Sequence, residues 1–244
     1  MTMDDGGPPG LEVCVLGTFG IRAQGHRLPA LAGVSQRLLA LLGVRDRVMM
    51  RGVVAATLWP DASEAHAQSS LRSALGRLGG VAREAVRVTP HELVLADGVA
   101  VDLRAARALV RRLLESAAPL HDTDLGMDSV RTLSEDVLPG WYDDWVLVDG
   151  EEWRQLRLHA LETLADELSA IGRYGEALSA AGAAVRADPL RESAHAAVVR
   201  VHVAEGNRSE ALREVASYRE LLGHELRLEP TSRLQELIDG FEPS

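Results

Sequence analysis

The chain has 244 residues, 46% of them hydrophobic and 25% charged, a composition typical of a globular protein with one large domain or two small ones. Its net charge is −10 and its 26 basic residues are all arginine, which excludes a P-loop lysine, a lysine Schiff base and a polybasic nucleic-acid coat. The lone Cys14 excludes an internal disulfide and a cysteine-based zinc site. The acidic start and the lack of a long apolar run predict a cytoplasmic protein that does not bind a membrane.

The charge is distributed unevenly along the chain. Residues 104–244 carry 16 arginines and 26 acidic residues, whereas residues 31–95 carry eight arginines and five acidic residues, a net charge of +3. Any surface that faces DNA is therefore expected to be local and to lie in the N-terminal part of the chain.

The chain begins with a β-rich segment. Residues 1–10 are rich in Gly, Pro and Asp and are expected to form a disordered N-terminus. The residues Leu11–Ile21 predict a strand broken at Gly17 and Gly20, and Arg27–Leu28 predict a short second strand after a turn.

The hydrophobic period then changes to that of helices, and three helices follow. The first is predicted from Ser35 to Gly43, and the second over about Arg51–Leu58, where Trp59-Pro60 stops it because proline has no N–H to donate. Within the second helix, four residues are expected to be buried: Val53, Val54, Ala56 and Leu58.

The third helix, predicted at about Glu64–Leu78, has two faces of different character. Its apolar residues form one stripe at helical spacing: Ala67, Leu71, Ala74, Leu75 and Leu78. Its other face presents residue types that read base edges in the major groove: Gln68, Ser69, Arg72, Ser73 and Arg77. The alternative is that these polar residues only solvate a surface helix.

Two β-rich runs follow the third helix and predict a hairpin. Ala85–Val88 and Leu93–Leu95 flank Thr89-Pro90-His91-Glu92, which is typical of a hairpin tip. An order of strands, three helices and a hairpin is the outline of a winged helix-turn-helix, so residues 11–101 are predicted to form a DNA-binding domain of this α+β type.

Further candidates for DNA contact lie outside the third helix. Arginines at the ends of neighbouring helices are expected to contact phosphates: Arg37, Arg45, Arg47 and Arg51. The hairpin tip adds Thr89 and His91 to the candidate set.

The second half of the chain contains an internal repeat. The segment Gly172–Leu178 recurs as Gly206–Leu212 at an offset of 34 residues, which is the tetratricopeptide period. Glycine supplies the positive φ that the turn between two helices requires, and the alanines let helices approach closely. Residues 102–240 are therefore predicted to form an all-α repeat domain, with residues 241–244 as a tail.

Other residues complete the repeat domain. An amphipathic helix from Asp102 and the segment Pro230–Ile238 are expected to cap the array, and Gly223 is expected to close the second repeat. Ahead of the repeats, a turn at Leu138–Trp141 is expected to hold an aromatic cluster with Tyr142 and Trp145.

The motifs of common enzymes are missing from the sequence. Neither Gly-x-Ser-x-Gly, His-Glu-x-x-His nor Gly-x-Gly-x-x-Gly occurs, so the chain is expected not to be an enzyme and to need no cofactor or metal. Asp122, Asp124 and Asp128 resemble a calcium loop only superficially, and the pair Asp143-Asp144 is more typical of solvent-facing carboxylates than of an acid–base pair.

Several of these motifs together resemble the Streptomyces antibiotic regulatory proteins. The resemblance covers about residues 11–240, and its N-terminal part is carried by Leu16-Gly17, Gly33 to Leu42, Leu58-Trp59, Ser70 to Leu78 and Val101-Asp102-Leu103. Its C-terminal part resembles the bacterial transcriptional activator domain and is carried by Leu138 to Trp145, Arg154 to Glu162, Asp188 to Glu192 and Ala211-Leu212 with Tyr218.

The resemblance implies a fold and a function. It implies an OmpR-type winged helix, the output domain of two-component regulators, with about Glu64–Leu78 as recognition helix and the hairpin around Thr89–Glu92 as wing. It also implies a transcriptional activator of antibiotic biosynthetic genes that binds direct repeats as paired protomers or a homodimer and contacts RNA polymerase holoenzyme. No ATP is expected to bind.

Two hypotheses therefore follow for the function. The first is a sequence-specific activator that reads duplex DNA with the third helix. The alternative is an interaction adaptor, in which the repeat domain binds a partner peptide and the winged domain does not bind DNA on its own.

Overall fold

The computed structural model describes residues 10–115 and 120–239. The predicted disordered N-terminus, apart from Gly10, and the predicted tail at 241–244 lie outside the described residues. The chain divides into two units: residues up to Arg107 with Asp136–Glu151 form the first, and Ala108–Glu135 with the residues from Glu152 onward form the second. The sequence-based boundary between residues 101 and 102 stays a prediction.

A four-stranded sheet begins the first unit. Its strands are β1 (Leu11–Cys14), β2 (Gly20–Ala23), β3 (His26–Arg27) and β7 (Ala100–Val101), in the order β3-β2-β1-β7. The predicted broken strand over Leu11–Ile21 is instead the antiparallel pair β1 and β2, in which Cys14 faces Gly20. Gly17 has a φ of +66°, a conformation that glycine adopts without strain where the chain turns between the two strands.

Three helices follow, as predicted: α1 (Gly33–Arg45), α2 (Arg51–Leu58) and α3 (Glu64–Arg77). The predicted end of α1 at Gly43 is wrong, because Gly43 is buried inside the helix. A Cβ at this position would lie 3.3 Å from a methyl group of each of Val13 and Val15, so glycine allows α1 to lie close against β1. The predicted burial of Val53 and Ala56 is also wrong, since both are exposed.

The buried side of α2 is formed by neighbouring positions instead. Val54, Ala55 and Leu58 are buried at i, i+1 and i+4. The second helix therefore turns a narrower stripe inward than the sequence pattern predicts, and Val53 is left 53% exposed.

A second, three-stranded sheet contains the predicted hairpin. It is formed by β4 (Met49–Met50), β5 (Val86–Val88) and β6 (Glu92–Leu95) in the order β4-β6-β5, and a short α4 (Gly80–Glu84) precedes β5. β5 and β6 are antiparallel, with Val88 opposite Leu93. The turn is closed by Thr89, whose N–H donates to the Glu92 carbonyl at 3.0 Å. The hairpin and the three helices confirm the winged helix-turn-helix.

Residues 136–151 pack within the first unit, far along the sequence from the strands that they contact. The N–H of Gly17 donates to the Asp136 carbonyl at 2.8 Å, and that of Leu138 donates to the Val15 carbonyl at 3.0 Å. The Trp141 ring lies 5.8 Å from that of Phe19. Tyr142 is 83% exposed, so its predicted place in an aromatic cluster is wrong.

The rest of the described chain is helical. Its helices are α5 (Asp102–Leu114), α6 (Met127–Ser134), α7 (Asp144–Ala170), α8 (Tyr174–Ala187), α9 (Glu192–Glu205), α10 (Arg208–Leu226) and α11 (Ser232–Glu236). In the described part of the chain, no helix is both long and apolar enough to cross a membrane.

The internal repeat is confirmed by the helix turns of the second unit. Gly172 and Gly206 have φ values of +77° and +87°, and they lie between α7 and α8 and between α9 and α10. Ala177 and Ala211 are fully buried, as close helix packing requires. The expectation that Gly223 closes the second repeat is wrong, because α10 continues past it to Leu226.

The segment after α10 caps the array, as expected. Leu234 of α11 and the following Ile238 are buried in one apolar cluster with Val199, Val215 and Tyr218. The Tyr218 hydroxyl donates to the Leu190 carbonyl at 3.1 Å, which satisfies the polar end of this buried ring.

Candidate nucleic-acid interface

Helix α3 separates an apolar side from a polar side, as the sequence predicts. The predicted stripe is buried throughout: Ala67, Leu71, Ala74 and Leu75 within α3, and Leu78 directly after it. On the other side, Ser69, Arg72, Ser73 and Arg77 are exposed and Gln68 is half-buried. The packing of the stripe against α1 and α2 therefore holds the polar face toward solvent.

The two arginines of this face keep their guanidinium groups available. Within the described residues, no ion pair or hydrogen bond engages the side chain of Arg72 or of Arg77. The Ser73 hydroxyl donates to the Ser69 carbonyl one turn earlier, at 3.1 Å, and its oxygen can still accept a bond. An exposed helix that carries such donors has the dimensions to enter the major groove.

Gln68 lies beside the first turn of α2. Its Nε2 is 3.8 Å from the place that a Cβ would occupy at Gly52, an ordinary van der Waals distance, so the amide lies directly alongside this turn. The amide group is therefore placed at the edge of the exposed face, next to α2.

The structure brings Arg51 together with the hairpin tip. The Arg51 N–H donates to the His91 carbonyl at 2.8 Å, and Arg51 Nη1 lies 3.4 Å from the Thr89 carbonyl oxygen. The Thr89 hydroxyl accepts from the N–H of Glu92 at 3.0 Å, so its role in this structure is to shape the turn. His91 is exposed, and so is Arg47, ahead of β4.

Two of the predicted phosphate contacts, Arg37 and Arg45, form ion pairs within the protein. Arg37 Nη2 donates to the carboxylate of Asp143, and Arg45 Nε lies 3.0 Å from Oδ2 of the buried Asp149. Both arginines therefore attach residues 136–151 to α1, and each would have to break an ion pair to bind a phosphate. Their sequence neighbours gave no sign of these partners, which lie more than 100 residues away.

Sequence reasoning missed one arginine of the hairpin. Arg87 is exposed on β5 between the buried Val86 and the half-buried Val88, and it pairs at 2.7 Å with Asp97. Both side chains of this pair are well exposed, so the pair is weak and can yield to a phosphate. The alternation Val-Arg-Val was the signal that could have identified it.

Two of the aspartates that resemble metal or acid–base groups in the sequence bind arginines in the structure. Asp124 accepts two bonds from Arg112, at 2.8 and 2.7 Å, and Asp143 holds Arg37. No group of three metal-ligating side chains occurs among residues 10–115 and 120–239. Burial raises the pKa of the Cys14 thiol to about 11, so it stays protonated at neutral pH.

Comparisons with known proteins agree with this architecture. The family model described as bacterial transcriptional activator domain matches residues 95–240. The regulatory protein AfsR of Streptomyces griseus is 30% identical over 243 residues, and AfsR of Streptomyces coelicolor is 31% identical over 237. Each match covers 93% of this chain and 24% of the relative, so the chain spans about a quarter of the length of these curated relatives.

A solved structure has a similar fold. The structure of Mycobacterium tuberculosis EmbR in complex with a low affinity phosphopeptide superposes with a TM-score of 0.72 at 19% identity. The similarity covers 94% of this chain and 64% of that one. It extends over the winged helix and the helical repeats alike.

Proposed function

The chain belongs to the family of Streptomyces antibiotic regulatory proteins, which are transcriptional activators, and we propose that it binds specific DNA sequences through α3. The observation that carries this proposal is the exposed polar face of α3, held outward by a buried apolar stripe. Arg72 and Arg77 can fork onto guanine and Gln68 onto adenine in the major groove, with Ser69 and Ser73 bonding bases or phosphates.

The hairpin is proposed as the wing that contacts the DNA backbone. Arg51 and His91 lie together at its tip, Arg87 lies on β5, and Arg47 is exposed nearby in the sequence. The three arginines, Arg47, Arg51 and Arg87, supply local positive charge in a chain whose net charge is −10. Phosphate contacts position a protein on the duplex and carry no sequence information, so base discrimination is assigned to α3.

Family membership supports the remaining parts of the proposal. The target is proposed to be a promoter with direct repeats, in a gene cluster for antibiotic biosynthesis, and the bound protein is proposed to recruit RNA polymerase. Direct repeats place protomers head to tail, so the contact between them would be heterologous and not two-fold symmetric.

A selection experiment tests the proposal. The wild-type chain is used to enrich duplexes from a random-sequence pool, and the enriched duplexes are titrated with Arg72→Ala. We expect Arg72→Ala to lose about 1–3 kcal/mol of binding free energy and to relax the preference at one base position. Arg131→Ala, which removes another exposed arginine, in α6, should bind as the wild type does. Unchanged affinity and base preference for Arg72→Ala would refute the assignment of Arg72 as a base-reading residue.

One observation favours the alternative function, an interaction adaptor. The second unit contains a groove of about 560 Å³ whose lining is mostly polar and charged, with Ala196, Leu234 and Leu237 as its apolar part, a size that suits a ligand or a peptide side chain. A salt series separates the two functions, because each neutralised phosphate makes log K fall by about 0.9 per unit of log salt. An adaptor would bind no DNA even at low salt.

A further inference from the structure

Ser35 is a polar residue buried in the apolar interior of the first unit. It lies in the first turns of α1, its side chain is fully buried, and Leu38 and Leu39 follow it on the same buried helix. A buried hydroxyl is unfavourable unless it finds a hydrogen-bond partner, so its partner shows what this serine does.

That partner belongs to α3. The Ser35 hydroxyl donates to the carbonyl oxygen of Ala74 at 3.1 Å, and Ala74 lies on the buried stripe of α3. The bond joins residues 39 positions apart and connects α1 to α3.

The Ala74 carbonyl is available because α3 ends one turn later. In a continuing α-helix it would accept from the N–H of Leu78, but this N–H donates to the Leu75 carbonyl at 3.2 Å. Ala74 therefore has one of the carbonyls that a helix C-terminus leaves without a helical partner. The Ser35 hydroxyl supplies the missing donor from another helix.

A hydrogen bond between two helices restrains their relative position more than apolar packing alone does. Apolar contacts have no preferred direction, whereas the Ser35 hydroxyl must stay within hydrogen-bond distance of one carbonyl at a suitable angle, which restrains the position of α3 on α1. Buried polar contacts can set the register of packed helices in this way. Ser73 is the neighbour of Ala74, and Arg77 lies one turn after it.

We propose that Ser35 is a positioning residue for base recognition, which fixes the axial register and rotation of α3 and thereby the places of Ser73 and Arg77. This inference rests on the proposed function, because α3 must read DNA for its register to matter. Ser35 itself does not contact DNA in this account.

The test compares Ser35→Ala and Ser35→Cys with Ser129→Ala. Ser129 is a matched control, because it is also buried and its hydroxyl also faces a carbonyl, that of Thr123 in the second unit. Each variant is titrated with duplexes that the wild type enriches from a random pool and with the unselected pool. We expect Ser35→Ala to lower the ratio of the two affinities about tenfold at unchanged salt slope, with Ser35→Cys intermediate and Ser129→Ala unchanged.

A merely structural role would give a different result. It would lower both affinities by the same factor, in proportion to the folded fraction, and that outcome overturns the proposal, as does an unchanged ratio. Cysteine is somewhat larger than serine but keeps a weak donor at the same position, so Ser35→Cys serves if Ser35→Ala does not fold.

Amide hydrogen exchange tests the positioning role of Ser35 independently of DNA binding. In the protein without DNA, Ser35→Ala should speed exchange of the amides at the end of α3 by about tenfold, because Ala74 loses its donor. Unchanged exchange there overturns the positioning role whatever the DNA result. If exchange responds but the wild type enriches no sequence, the proposed function fails and the register of α3 has no base-reading role.

Discussion

Gly43 offers a quantitative test of how α1 packs on the first sheet. Two effects of Gly43→Ala oppose each other: alanine favours a helix interior over glycine by about 1 kcal/mol, whereas the added Cβ would meet methyl groups of Val13 and Val15 at 3.3 Å. Overpacking of this kind costs about 1–3 kcal/mol, because both valines are fully buried and have little room to move. The net change is therefore expected to lie between about zero and 2 kcal/mol of destabilisation.

Gly76 provides the matched control within the same unit. It lies in α3, and a Cβ there would meet nothing within 4 Å, so Gly76→Ala keeps only the helix-propensity gain. We expect Gly76→Ala to stabilise the first unit by about 0.5–1 kcal/mol and Gly43→Ala to be less stable than Gly76→Ala by about 1–3 kcal/mol. Urea unfolding, monitored by hydrogen exchange of peptides from β1, reports on the stability of this unit alone. If Gly43→Ala proves as stable as Gly76→Ala, the close approach of α1 to β1 is refuted.

Three further predictions concern ionisable groups. The hydrogen bonds from Arg112 hold the pKa of Asp124 below its ordinary value of 3.8, so this pair stabilises the second unit above that pH and its contribution is lost as the pH falls through the lower, folded-state value. Asp124→Asn should cost about 1–3 kcal/mol in urea unfolding at pH 7 and much less in acid; equal losses at both pH values would contradict the pairing. Since burial raises the pKa of Cys14 to about 11, the folded chain should resist a thiol reagent at pH 8 and react only when urea unfolds it; rapid labelling of the folded chain would show that the thiol is accessible. A double-mutant cycle on Arg37 and Asp143 should give a coupling free energy of about 1 kcal/mol, because both side chains are partly exposed. Arg37→Ala should leave DNA affinity unchanged, and a lower salt slope would instead return Arg37 to the phosphate contacts.

The sequence predicted those features that depend on local periodicity and turn chemistry. The stripe from Ala67 to Leu78 repeats at helical spacing, so both faces of α3 could be assigned from the sequence before any contact was known. Gly172 and Gly206 occupy equivalent positions in the two repeat units, and a positive φ at each follows from the need to reverse direction between helices.

Contacts distant in sequence could not be predicted in this way. In the sequence, Gly43 looks like a helix end, because the valines that pack against it lie about 30 residues earlier, on and just after β1. Arg37 looks like a phosphate contact in the sequence, because its actual partner, Asp143, lies 106 residues later and cannot be identified from the neighbouring residues. The donor on Ser35 and its acceptor on Ala74 are likewise 39 residues apart. In each case the partner that decides the role of the residue is supplied by the tertiary fold.

The central claim is that the exposed face of α3 lies in the DNA groove, and tethered cleavage tests it most directly. Because Cys14 is buried, a cysteine introduced as Ser69→Cys can be labelled selectively with a DNA-cleaving iron chelate, and Ser209→Cys on the exposed start of α10 serves as the control. We expect cleavage centred on each enriched direct repeat with the probe at residue 69 and a different or absent pattern with the probe at residue 209. Binding without localised cleavage from residue 69 would contradict this claim.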